Sequence, residues 1–165
     1  MLLTQKLFEI AGIGRDRLHV AWVSSAEAQR FAEVVTQTTD SIRQQGKLDT
    51  DALAMPLQAC EMTVNDETIR WLVGKERKIT TNGDVYGRPW NIESYEQVMF
   101  KELEREFQKN MIYLAIQEGF TSVRDISQKI QVDLLRVSYL LADLERANKV
   151  EFTGMKDRKP VFAAR

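Results

Sequence analysis

One cysteine, Cys60, and one histidine, His19, are the whole supply of soft metal ligands and neutral-pH proton carriers in this 165-residue sequence. A zinc site of Cys and His type takes four protein ligands, or three and a water, and two residues fall short of that. An intrachain disulfide needs a second cysteine, and a cysteine-ligated iron–sulfur cluster needs several. Cys60 lies between Ala59 and Glu61-Met62, with no neighbouring positive charge to lower its pKa. It reads as a small buried hydrophobe rather than a nucleophile. His19 stands in Leu18-His19-Val20-Ala21-Trp22 beside no nucleophile and is expected at a surface or sheet edge. The acidic sets Asp49/Asp51 and Glu102/Glu104/Glu106 fall at helix starts or on polar helix faces and converge on nothing. Gly74-Lys75-Glu76-Arg77-Lys78 has the composition of a phosphate-gripping loop but not the glycine spacing of a P-loop, and a solvated helix end is expected there. No residue is assigned a catalytic, cofactor-binding or metal-binding role. A free-standing enzyme has the least behind it.

The chain is 44% apolar and 28% charged, with a formal net charge of -1. That is the balance of a folded globular protein, without the global basicity that would draw it to nucleic acid or an anionic membrane. The longest apolar runs, such as 111–116, are too short to span a bilayer, and Met1-Leu2-Leu3-Thr4 lacks the basic start of a secretory signal. The cytoplasm is the expected compartment.

Leu3, Leu7, Phe8 and Ile10 form a helical stripe that ends at Gly12-Ile13-Gly14. Alternating Leu18, Val20 and Trp22 predict a strand over 17–23. Ser24 or Ser25 is expected to cap a helix bearing Phe31, Val34, Val35 and Ile42, which stops at Gly46. Helix, strand, helix is an incomplete α/β half-domain, since one short strand cannot satisfy its own ladder. Residues 48–94 predict a helical linker and loop. Asp49 and Asp51 open one short helix, and Asn65 and Asp66 open a second containing Ile69, Trp71, Leu72 and Val73. Asn82-Gly83-Asp84 and Gly87-Arg88-Pro89 then signal turns.

Residues 95–165 predict a separate unit: a helix over about 96–117, a short helix over 123–130, a third over 134–147, and strands at 149–153 and 160–164 joined by 154–159. Three helices followed by a β-hairpin is the winged-helix layout. The expected fold class is therefore α+β, an incomplete α/β half-domain at 1–47, the linker at 48–94 and a C-terminal winged-helix domain at 95–165. Winged helices commonly lay their third helix in the major groove, so a DNA-binding transcriptional regulator is the alternative function. Arg136 on that helix, with Lys156, Arg158 and Lys159 in the wing, would contact nucleic acid or a protein partner. Residues 101–165 carry only two more basic than acidic side chains, and Asp133, Asp143 and Glu145 share the third helix, which weighs against phosphate contact.

The first segment carries a family resemblance. Ile10-Ala11-Gly12-Ile13, then Arg17-Leu18-His19-Val20-Ala21-Trp22-Val23-Ser24-Ser25-Ala26-Glu27, then Arg30-Phe31-Ala32-Glu33-Val34-Val35 resemble the carboxy-terminal part of the methyl-viologen-reducing hydrogenase delta subunit family. Trp71–Arg77 with Gly83-Asp84-Val85-Tyr86-Gly87 is similar to a segment of longer bacterial members. The resemblance is strong over 3–46, weaker to about Trp90, and absent beyond.

That family's iron–sulfur subunit connects a hydrogenase or formate dehydrogenase to heterodisulfide reductase and its relatives. Complete members carry a cysteine-rich first half that binds a [2Fe–2S] cluster, and none of its ligands maps onto a residue of this sequence. The resemblance implies an accessory subunit or fragment of an electron-transfer complex, acting in docking rather than chemistry, with other redox subunits as partners. Two origins fit the missing half: a separate polypeptide, or a reading frame begun downstream of a selenocysteine codon, as in a selenoprotein fragment.

Overall fold

A computed structural model describes residues 2–165. The described residues form seven α-helices and one two-stranded antiparallel sheet, an α+β composition dominated by helix. The chain divides into two compact units, Met1–Leu57 and Gln58–Arg165, the division falling within the third helix.

In the first unit α1 (Leu2–Ile10) buries Leu7 and ends where Ala11, Ile13 and the glycines follow. The Ile13 and Gly14 amides both donate back to the Phe8 carbonyl, at 2.9 and 3.2 Å, which is permitted by positive φ at Gly12. A single 3-10 turn, Arg15–Arg17, comes next. The Arg17 guanidinium donates to the carbonyls of Ile13, Gln45 and Gly46, while the Gln45 amide donates to the Asp16 carbonyl. These bonds fasten the end of α2 (Ala28–Gln45) to the turn.

The strand expected over 17–23 is not formed. Residues 18–24 have no regular structure, and no second strand lies beside them among the described residues. Alternation of apolar side chains prepares a strand but cannot supply the neighbouring backbone that a ladder requires. The expected cap is also different. Glu27, not Ser24 or Ser25, precedes α2, and its carboxylate accepts the Ser24 amide at 2.9 Å instead of capping the helix. Gly46 ends α2 with φ 71, as its sequence predicts.

In the second unit each helix start has its own side-chain acceptor. Asp66 caps α4 (Glu67–Asn82) by accepting from Thr68 and Ile69, and Asn91 caps α5 (Ile92–Gln117) by accepting from Ser94. Ser122 caps α6 (Val123–Ile130) and Asp133 caps α7 (Leu134–Arg146). The Asn91 cap starts α5 about four residues before the expected 96. Gly74–Lys78 lies inside α4 rather than at its end, because Glu76, Arg77 and Lys78 carry enough helix propensity to run through one glycine.

The core of this unit gathers on α5. Leu103, Phe107, Ile112, Leu114, Ala115 and Ile116 are buried there, against Ile126 of α6 and Val137, Leu140, Leu141 and Leu144 of α7. Burial of each such large side chain is worth about 1.5–3 kcal/mol. Ile69 and Leu72 are the buried residues of α4, and the Tyr95 hydroxyl donates to the Leu72 carbonyl at 2.7 Å. On α3 (Ala54–Val64) Thr63 is fully buried, and the Asn110 amide of α5 donates to its hydroxyl at 3.0 Å.

Strands β1 (Val150–Lys156) and β2 (Lys159–Ala164) form a hairpin with an irregularity between Phe152 and Gly154. Its connection is shorter than the expected 154–159: Asp157 and Arg158 alone make the turn, both with positive φ, as a two-residue hairpin twist demands. The Phe162 amide donates to the Thr121 carbonyl at 3.0 Å, which ties β2 to the approach of α6.

Candidate functional site

Cys60 is buried on α3, where desolvation pushes its thiol up to about 11. A thiol so held stays protonated near neutral pH and is a poor nucleophile. His19 is exposed in the irregular stretch after the 3-10 turn. No group of three or more His, Cys, Asp or Glu side chains is placed to hold a metal among the described residues. The donor set of this chain does not fit the [2Fe–2S] cluster of complete family members, because one buried cysteine cannot supply the thiolates.

The four basic residues singled out for partner contact are not equivalent. Lys156, Arg158 and Lys159 are exposed together at the hairpin tip, Lys156 and Lys159 facing each other as the last pair of the ladder. Arg136 sits in the first turn of α7, half-buried, with its Nε donating to Gln108 of α5 at 2.9 Å. Two of the carboxylates on α7 are also occupied: Asp133 caps its own helix, and Asp143 pairs with Arg105 at 2.6 Å and with Arg146 at 3.2 Å. The outer face of α7 presents Leu134, Leu135 and Tyr139 to solvent. Base-edge reading calls for polar groups there, and nothing in this surface favours the DNA-binding alternative.

A broader surface lies in the first unit. Helix α2 has no buried residue at all, although Phe31, Val34, Val35 and Ile42 fall on one stripe at helical spacing. Phe31 is 60% exposed, and Trp22, in the unpaired stretch before the helix, is 89% exposed. The charges of α2 are largely spent within the helix, in Glu27–Arg30 and Asp40–Arg43 pairs, exposed i,i+3 contacts of little energetic weight. An amphipathic helix with its apolar stripe in water, next to a bare indole, makes an exposed apolar surface of the kind that marks interaction sites.

Trp22 was assigned from sequence to a strand face. Its exposure follows instead from the lack of any partner for that stretch. Sequence reading also treated Asp84 as a turn residue only. In the structure its carboxylate accepts from the Tyr86 and Arg88 amides, the Arg88 side chain and the Trp90 indole. The signal was present as Gly83-Asp84 followed by Gly87-Arg88, but the convergence of four donors is a property of the folded loop.

α1, the 3-10 turn, the unpaired stretch and α2 together make a helical segment whose conspicuous feature is exposed apolar surface. Residues 1–46, which are these elements and the glycine that ends α2, match the family model for the methyl-viologen-reducing hydrogenase, delta subunit. The match covers the N-terminal 46 of the 165 residues. No solved structure matches the chain at a significant level. No helix among the described residues is long and apolar enough to cross a membrane.

Proposed function

We propose that this chain is an accessory subunit of a hydrogenase or heterodisulfide reductase-type electron-transfer complex, and that it docks redox subunits without performing chemistry. The observation that carries this reading is the unburied apolar stripe of α2 together with Trp22, lying within the residues that match the hydrogenase delta subunit family. Covering Trp22, Phe31, Val35 and Ile42 would take their exposed apolar surface out of water, at about 25 cal/mol per Å² removed. The occupant is a cysteine-rich, cluster-bearing half of a delta-type subunit. It would also supply the strand neighbour that 18–23 lacks. The complex works in the cytoplasm.

α5, α6, α7 and the hairpin form, in this reading, a winged-helix-like unit used for protein contact. Leu134, Leu135 and Tyr139 support that use over nucleic-acid contact, being apolar and exposed.

Amide hydrogen exchange tests the docking. Residues 18–23 should exchange fast in the free chain and slow at least tenfold once a separately purified cysteine-rich half is added. Trp22→Ser with Phe31→Ser should abolish the slowing without unfolding the chain. Strong protection of 18–23 in the lone monomer, or no change on addition, would overturn the proposal.

A further inference from the structure

The second unit holds a cavity that the docking role does not use. It measures about 380 Å³, within the size range of small-molecule pockets, and opens between α4 and the loop that follows it. Trp71, Lys75, Lys78 and Ile79 line it from α4, and Gly83, Asp84 and the exposed Val85 border it from the loop. The helical spacing of Trp71, Lys75 and Lys78 puts an indole and two ammonium groups on one face. Trp71 is 54% exposed and so presents ring surface to whatever enters.

The loop wall is fixed in advance. Gly83 takes φ 91 at a place where a Cβ would meet the Gly87 and Arg88 backbone at 3.0–3.1 Å, so only glycine closes the turn. The four bonds to the Asp84 carboxylate then hold residues 84–90 in one arrangement. A wall that is already ordered costs a ligand little entropy.

Charge decides what fits. Asp84 is neutralised by Arg88 at 2.8 Å. Neither Lys75 nor Lys78 has an ion-pair partner among the described residues. Lys78 also borders a neighbouring, more open cavity with Arg77, which extends the positive field along α4. An indole face, an aliphatic wall and two free ammonium groups complement one chemistry: a flat ring system carrying negative charge.

We propose that this pocket binds a small flat aromatic anion, its ring against Trp71 and its acidic group at Lys75 and Lys78. The ring could bear a phosphate, as in a mononucleotide, or a carboxylate. Both present the same body and charge to the pocket. The site belongs to the second unit and stands or falls independently of the docking proposed for α2.

The test uses the full chain and two fluorescent probes with one ring system: 1-anilinonaphthalene-8-sulfonate, which is charged, and N-phenyl-1-naphthylamine, which is not. The sulfonate should bind one-to-one, at least tenfold more tightly than the neutral amine. Lys75→Gln with Lys78→Gln should erase that preference. Trp71→Ala should weaken both probes at least fivefold, and Lys47→Gln, outside both surfaces, should change neither. Among the substituted side chains only Lys75 is half-buried and the others are exposed, and circular dichroism checks that the variants fold. Displacement by adenosine 5′-monophosphate assigns the anion to a nucleotide, and displacement by 2-naphthoate to a carboxylic acid. Equal affinity for the two probes, or sulfonate binding that survives the α4 substitutions, would overturn the proposal.

Discussion

At the scale of single residues, protonation is governed by what surrounds each group. The Asp84 carboxyl is held at about 2, first by its bond from Arg88 and then by the backbone amides of Arg88 and Tyr86. A lowered carboxyl contributes stability above its unfolded value of about 3.8, and that contribution is lost as pH falls toward 2. The loop 83–90 should therefore loosen between pH 4 and 2. Trp90, whose indole donates to Asp84 at 3.4 Å, makes its emission a local reporter. In a Trp22→Phe/Trp71→Phe background, Asp84→Asn should give at neutral pH the same spectral shift that acid produces in the parent. Cys60 behaves in the opposite sense. Its thiol stays protonated past the usual range, so a disulfide reagent at pH 8 should label it only upon unfolding, with the rate rising at least a hundredfold in denaturant. Fast labelling of the native chain would contradict the buried position.

Among the elements, α5 carries a polar device in its buried face. Glu106 is 5% exposed and pairs with Lys109 at 2.6 Å, while its second oxygen, Oε2, has no hydrogen-bond partner. Removing one member of such a pair strands the other charge, whereas replacing both with apolar residues removes the desolvation cost. Glu106→Leu alone should destabilise the chain by about 2 kcal/mol, somewhat less than a fully enclosed pair because Lys109 can reach toward water. The double change Glu106→Leu/Lys109→Met should restore or exceed the parent stability in urea titrations. A double variant as weak as the single one would mean that the pair is net stabilising.

At the scale of the whole molecule, the buried apolar residues are unevenly divided. Leu7, Ala11 and Ile13 are the buried ones of residues 2–57, while the rest of the core belongs to residues 58–165. Local stability follows buried contact, so the first unit should open well below the free energy of global unfolding. Limited trypsin digestion should cut at Arg30, Arg43 and Lys47 before any site in α5, α6 or α7, with the fragments read by mass spectrometry. If docking covers α2, adding the partner should protect those early sites while leaving later ones unchanged.

How much of this was legible in the chain depends on the range of the interactions involved. The glycine that ends α2, the Asp66 cap of α4, the apolar periodicity of α5 and α7, the hairpin and the family resemblance of the first segment are all local in sequence, and each could be read from a few adjacent residues. The same locality explains the failures. Leu18, Val20 and Trp22 alternate as strand residues do, yet strand formation depends on a second backbone that no window of the sequence contains. The start of α5 moved to Asn91 because one side-chain bond to Ser94 outweighed the preference of the residues between. The pocket beside Trp71 needed two facts that sequence distance hides: that Gly74 leaves α4 unbroken, and that Asp84 folds the following loop back onto it. Local propensity and periodicity were written in the residues themselves. Pairing, exposure and the convergence of four donors on one carboxylate exist only where the chain returns to meet itself.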